Sequence, residues 1–357
     1  MNDLIEANVV TINPEQGKRC LALLWKARVP AALIGPTGVG KTTMVQEFVG
    51  LLNGKGAPKF KLWMAPLSYY SDAGDIGGIP VPDHKAQVMK FLLNGALPFD
   101  TEEAGVLFGD EFDRSSPEVQ NAFLQVLLGG VIHGHKLSEN VYPVIAMNGS
   151  SDVYTTPLSQ AARTRVCSLF LSHHAAGTME SYLEWAEKNG VSRVARRFAR
   201  ARRELLAPEI QFEELAVCVP RTLDMADKVL SVSKTVKFRT DDIVFPCLAG
   251  LIGKRAAVEF LAIERLIEEA PDLSEILQDP KRCAVPKNPS VLTALISELV
   301  SAVDPSDLAR SQKIIVYGTR WSAETAWALF KQMAEKDSSV VTLPEYIRWT
   351  KEHKAEL

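Results

Sequence analysis

The spacing of apolar positions changes character once along this chain, near residue 175. Upstream of that point, short apolar runs alternate with longer amphipathic stretches. Residues 30–34 (PAALI), 60–67 (FKLWMAPL), 106–108 (VLF) and 141–147 (VYPVIAM) have the length and composition of buried strands. Residues 17–28, the stretch from Lys41 through TTMVQEFVGLL, and residues 116–128 carry apolar positions at helical spacing. The last of these has Pro117 near its start, where a helix needs no N–H. The alternation predicts a parallel sheet with helices on both faces. Residues 74–82 (GDIGGIPVP) read as loop, 88–93 as one arm of a hairpin, and 129–140 as a further hairpin.

Downstream, strand-like runs become rare. Residues 180–188, 192–206, 221–232, 245–270 and 289–302 all read as helices, with breaks at Asp279-Pro280 and at 287–289. The expected organisation is an α/β domain over residues 1–175, an all-α domain over 176–265 and a helical C-terminal extension over 266–357. There is no internal repeat and no low-complexity segment.

Composition narrows the function classes. Of 357 residues, 46% are hydrophobic and 23% charged, ordinary values for a globular protein with a full core. The net charge of −3 lacks the basic excess of a protein that lives on nucleic acid. Five cysteines at 20, 167, 218, 247 and 283 form no C-x-x-C pair, which argues against a disulfide framework and a cysteine zinc site. His173-His174 has no carboxylate or cysteine at metal spacing and reads as a surface or cap pair. The first ten residues lack the basic and apolar regions of a signal peptide, and no run of 18 apolar residues occurs. These readings lead to the expectation of a cytoplasmic protein with no membrane partner.

The sharpest feature is Gly35-Pro36-Thr37-Gly38-Val39-Gly40-Lys41-Thr42, a full G-x-x-x-x-G-K-[ST] phosphate loop, with Thr43 next to it on the predicted helix. Glycines let successive N–H groups turn toward phosphate oxygens. The helix that follows presents its positive end to the same anion. Lys41 is placed to reach the β- and γ-phosphates and the Thr42 hydroxyl to hold Mg²⁺. About 70 residues on, the apolar run Val106-Leu107-Phe108-Gly109 ends in Asp110-Glu111. Adjacent carboxylates at a strand end ask for a cation. Asp110 suits the Mg²⁺ shell, and Glu111 suits orienting and polarising an attacking water.

Taken together, GPTGVGKT, DAGDIGGIPVPD, LFGDEFDRSSPEVQNAFLQVL and VIAMNGSSD resemble the MoxR-like branch of the AAA+ ATPases, close to the dynein-related ATPases. The resemblance covers about the first 170 residues and a second segment at 219–222. It implies an α/β core of the AAA+ type that binds and hydrolyses ATP with Mg²⁺, followed by an all-α lid. Asn148 matches the first sensor, although an asparagine after a strand also serves as a turn former. Residues 158–166 (LSQAARTRV) are similar to the segment that carries the arginine finger, which places Arg165 in a neighbour's site. Val166 replaces the usual phenylalanine, and Arg163 is a rival two residues away. Val219-Pro220-Arg221-Thr222 is similar to the second sensor, with Arg221 facing the γ-phosphate.

The resemblance also implies ring assembly, usually hexameric, and a remodelling or chaperone role toward a protein partner, in some members one with a von Willebrand factor A domain. A competing class is a nucleic-acid motor or restriction-type subunit. It draws on Arg193, Arg196, Arg197, Arg200 and Arg203, which share one face of a predicted helix whose basic side reads most simply as solvated or facing a neighbouring subunit.

Overall fold

The computed structural model describes residues 9–54, 59–148, 158–208, 216–236 and 240–353. Most of the N-terminal stretch read above for a signal peptide, and the GSSD of the fourth resemblance segment, lie outside them. The contacts divide the chain into two compact units. One runs to Trp185 and takes in Val219–Arg221; the other holds Ala186–Cys218 and the chain from Thr222 onward.

The first unit is built on a six-stranded parallel sheet. Its strands are β1 (Thr11–Ile12), β2 (Ala31–Ile34), β3 (Lys61–Pro66), β6 (Gly105–Asp110), β9 (Val141–Met147) and β10 (Cys167–Leu171), in the order β1-β10-β2-β9-β6-β3. The pleat sends alternate side chains to opposite faces. Leu107, Ile145 and Met147 enter one core with Val119, Phe123 and Val126. Their neighbours Val106, Phe108, Val144 and Ala146 enter the other with Leu21, Met44, Val45 and Phe48. The helices that supply these partners are α1 (Pro14–Ala27) and α2 (Lys41–Leu52) on one side and α4 (Pro117–Gly129) on the other. Strands buried on both faces read as continuous apolar runs, which is why the sequence marks them clearly.

Helix starts follow from local chemistry. Asn13 caps α1, accepting from the Gln16 N–H while Gln16 returns a bond to the Asn13 N–H. This reciprocal cap begins the helix three residues before the apolar pattern shows it. Ser116 caps α4, with Pro117 in its first turn.

The 74–82 stretch is not the loop that its glycines and prolines suggest. It holds a short helix, α3 (Gly74–Gly77), and a strand, β4 (Ile79–Asp83), paired antiparallel with β5 (Val88–Leu92). Two-stranded ribbons tolerate proline at an edge, so Pro80 and Pro82 do not exclude it. The predicted 129–140 hairpin forms as β7 (Val131–Ile132) and β8 (His135–Lys136). Cys167–Leu171 and the two-residue Thr11–Ile12 are strands that the sequence reading does not include.

The second unit is helical, with α7 (Arg193–Ala201), α9 (Asp241–Ile252), α10 (Lys254–Glu268), α11 (Leu273–Gln278), α12 (Pro289–Ser301), α13 (Leu308–Gly318), α14 (Ala323–Lys336) and α15 (Pro344–Glu352). Two helices bridge the numbering between the units: α6 (Thr178–Lys188) and α8 (Pro220–Ser233), while α5 (Gln160–Arg163) precedes β10. The run read as one helix over 245–270 is two. Gly253 adopts φ 80° between them, a left-handed conformation open to glycine; apolar periodicity continues across it and hides the break. The 192–206 prediction also overshoots: α7 stops at Ala201 and turns continue to Leu206.

Two arginines of the α7 face, Arg193 and Arg197, are not solvated, whereas Arg203 beyond its end is exposed. Arg193 donates to both Glu298 oxygens, Nε–Oε1 at 2.7 Å and Nη2–Oε2 at 2.9 Å, and to the Pro271 carbonyl at 2.9 Å. Arg197 lies 3.6 Å from the same carboxylate. Arg196 pairs with Glu187 and Arg202 with Glu259. Arg193, Arg197 and Glu298 keep only 18%, 12% and 20% of their side-chain surface in solvent. Removing the shared acid strands two half-desolvated cations. Glu298→Ala is therefore expected to cost about 2–3 kcal/mol, read as a fall in Tm of roughly 5–10 °C. A Tm within about 1 °C of wild type would show the network to be ornamental.

Candidate functional site

The phosphate loop joins β2 to α2. Gly38 and Gly40 sit at φ 82° and 96°, so the chain curls back on itself between the strand and the helix. Gly40 is also the N-cap of α2, and its carbonyl accepts from the Met44 N–H at 2.8 Å. The first free N–H groups of the helix therefore point toward the loop. Lys41, Thr42 and Thr43 occupy its first turn.

Lys41 is 9% exposed. Its Nζ donates to the carbonyls of Gly35 (2.6 Å) and Pro36 (3.1 Å) and to Asn148 Oδ1 (3.0 Å). Burial pulls its pKa down to about 8; Asp110 and Asp113 oppose that fall and Arg221 and Arg114 add to it. Three protein acceptors thus satisfy an ammonium group that an arriving phosphate oxygen could take over.

The Thr42 hydroxyl donates to Asp110 Oδ2 at 2.9 Å. Two oxygen ligands from β6 and α2 are thereby side by side at the mouth of the loop. A hydroxyl and a carboxylate are hard donors that suit Mg²⁺ with its waters and substrate phosphates. Among the described residues no cluster of three His, Cys, Asp or Glu side chains offers a rival metal site.

Glu111 begins the turn after β6 with φ 52°, a left-handed conformation uncommon outside glycine. Its Oε2 accepts from Ser68 Oγ at 2.5 Å, and Arg114 lies 3.8 Å from Oε1. The side chain keeps 41% of its surface in solvent, so a water can reach it. Ser68, just past β3, carries no motif signal in the sequence; only the pairing of β3 with β6 brings it to Glu111.

Asn148 follows β9. Its side-chain oxygen meets Lys41 and lies 3.4 Å from Thr37 Oγ1. Asp113, almost fully buried, accepts the Asn148 N–H at 2.9 Å. Burial raises the Asp113 pKa, with the Asn148 N–H the largest opposing influence. Arg221 belongs to the same unit as the loop: a Cβ on Gly38 would lie 3.9 Å from the Arg221 Cβ. His173, read as a surface or cap residue, is half-buried. Its Nε2 is 3.3 Å from the Thr37 carbonyl, and burial lowers its pKa to about 4. The ring is therefore neutral near pH 7 with the proton on Nε2.

Arg163 and Arg165 are both exposed, and among the described residues neither side chain forms a hydrogen bond or ion pair. They flank the short turn from α5 into β10. Asp72 and Asp75 are turn residues, accepting from the Gly74 and Ser71 N–H groups at 2.6 Å.

Residues 30–165 match the AAA domain of the dynein-related subfamily. Over these residues the chain carries an AAA domain. The chain is 33% identical over 103 residues to the ATP-dependent protease ATP-binding subunit-like protein AmiB of Pseudomonas aeruginosa, covering 29% of this chain and 28% of that protein. It is 31% identical over 100 residues to an ATP-dependent protease ATP-binding subunit-like protein of Rhodococcus erythropolis, covering 28% of each. The match thus spans under a third of either relative. A solved mutant of Thermotoga maritima RuvB is similar over 84% of this chain and 86% of its own, at 18% identity and a TM-score of 0.43. The parallel sheet, phosphate loop and strand-end carboxylates are the AAA+ core that the sequence predicts. No helix among the described residues is long and apolar enough to cross a membrane.

Proposed function

We propose that this chain is a MoxR-type ATPase that assembles into a ring, hydrolyses ATP between subunits and uses the cycle to remodel a protein partner. The observation that carries the reading is the 2.9 Å contact of Thr42 with Asp110 beside Lys41 and Glu111. It gathers a metal-ligand pair, a phosphate-binding cation and a candidate base at one strand end. Residues 35–43 would cradle the phosphates. Thr42 and Asp110 would hold Mg²⁺, which supplies charge neutralisation on the phosphoryl oxygens when bound. Glu111, steadied by Ser68, would orient the attacking water and draw off its proton. Asn148 would help place that water, and Arg221 would meet the γ-phosphate from the start of α8.

Two exposed arginines, Arg163 and Arg165, with no partner among the described residues, favour the shared-site part of the proposal. Arg165 is the assigned finger, acting on a neighbour's nucleotide. A hexamer and a partner with a von Willebrand factor A domain complete the reading. The nucleic-acid alternative is weakened because Arg193, Arg196, Arg197 and Arg202 are matched to acids within their own unit. A protein that gains affinity from phosphate contacts needs such charges available.

The test is the ATP turnover per chain of wild-type protein across a concentration series, with light scattering on the same samples. The rate is expected to rise with the assembled fraction. A rate per chain that stays flat through assembly would sink the shared site, and a steep, salt-sensitive stimulation by DNA would favour the motor class.

A further inference from the structure

We infer that Asp113 is a positioning residue of the ATPase site: its carboxylate clamps the backbone of Asn148 and so fixes where that asparagine's amide stands against Lys41. The inference deepens the ATPase reading above and rests on it. The ladder between β6 and β9 ends at Gly109 and Ile145, and that between β2 and β9 at Ile34 and Met147. The Asn148 N–H lies beyond both ladders. Asp113 Oδ2 accepts it at 2.9 Å. The side-chain oxygen of the same asparagine is 3.0 Å from Lys41 Nζ. One residue therefore has its main chain held by Asp113 and its side chain on the phosphate-loop lysine.

Asp113 is 1% exposed. A buried carboxylate is unfavourable unless its lone pairs are matched and cations stand near, so an apolar residue would serve a merely structural core better. Lys41 and Arg114 act on it electrostatically and favour its charged form. The turn that carries it is itself fixed. Phe112 O accepts from Ser115 Oγ at 2.7 Å and from Gln120 Nε2 at 3.0 Å, and Gln120 also donates to Ser115 O. Glu111 opens that turn and Asp113 sits inside it. A single braced turn thus sets the candidate base directly and the asparagine through its clamp. Loss of the clamp would leave the phosphate loop intact and blur the geometry in which water meets phosphate. Displacements of this kind cost turnover more than affinity.

The experiment uses the full chain with Asp113→Ala, Asp113→Leu (which fills the core but accepts no bond) and Asp113→Asn (whose amide oxygen still accepts). The readouts are kcat, Kd for Mg-ATP and hydrogen exchange at the Asn148 amide. Asp113→Ala and Asp113→Leu are expected to lower kcat roughly 10- to 100-fold while Kd moves less than about threefold. Exchange at Asn148 speeds up in both. Asp113→Asn recovers most of the turnover and the protection. Adding Asn148→Ala to Asp113→Leu costs no more than Asn148→Ala alone, since residues acting as a unit are not additive. Wild-type exchange and turnover in Asp113→Leu would overturn the inference, as would an Asp113→Asn chain as slow as Asp113→Leu, or additive losses in the double variant. Should the wild-type chain turn over no ATP, the functional reading fails separately. Exchange then decides: unchanged protection in Asp113→Leu overturns the clamp, and faster exchange restored by Asp113→Asn upholds it.

Discussion

Glu111→Gln is expected to bind Mg-ATP with near wild-type affinity and to lose turnover by roughly 10²- to 10⁴-fold, the range of a lost general base. The substitution is nearly isosteric. A glutamine carbonyl can still accept from Ser68 Oγ, which now lies 2.5 Å from the carboxylate, and the left-handed backbone at this position gains no new branching at Cβ. What disappears is the ability to take a proton from water. The phosphate loop, the Thr42–Asp110 pair and the Lys41 contacts are untouched, so binding and chemistry separate. Phosphate release measures turnover, and titration with a fluorescent ATP analogue measures affinity. A variant that turns over within about fivefold of wild type would remove Glu111 from the base role and pass it to another group at the site. A variant that also fails to bind would point to a collapse of the turn rather than lost chemistry.

How far the sequence carries one toward this site depends on where each partner sits along the chain. The loop residues 35–43 and the pair Asp110 and Glu111 are legible because the chemistry is local: glycines, a lysine and a hydroxyl on one turn, two acids at the end of one apolar run. The buried strands were legible for the related reason that both faces are apolar. Ser68 and Asp113 were not. Each acts across a strand pairing, β3 with β6 for Ser68 and β6 with β9 for Asp113, and a lone serine or a third acid after DE has no spacing signature. His173 reads as surface or cap, and only the pairing of β10 with β2 brings it to the Thr37 carbonyl. The arginine face of α7 failed in the opposite direction. Its period was read correctly, but the acids that match it, Glu298 among them, are remote in sequence. The helix break at Gly253 shows a third limit: a single left-handed residue ends a helix without disturbing the apolar pattern.

The assignment of Arg165 rather than Arg163 makes the last prediction. Arg165→Ala is expected to abolish turnover in assembled protein, by roughly 10³-fold or more, the scale of an arginine finger in phosphoryl transfer. Arg163→Ala is expected to stay within a few-fold of wild type. Both side chains are exposed and without a partner among the described residues, so neither change should shift stability by more than about 0.5 kcal/mol. A loss of activity would then report on chemistry and not on folding. Mixing separates a shared site from one built within a chain. An Arg165→Ala subunit keeps Glu111, and a Glu111→Gln subunit keeps Arg165. Where the first lends its nucleotide and the second its arginine, the interface is whole. Random equimolar rings with heterologous interfaces would contain about one such interface in four, so mixing two inactive proteins should restore up to about a quarter of the wild-type rate per site. Equal loss in Arg163→Ala and Arg165→Ala would leave the finger unassigned between them. No recovery on mixing, with scattering showing mixed assembly, would mean that Arg165 works inside its own chain and that the site is not shared.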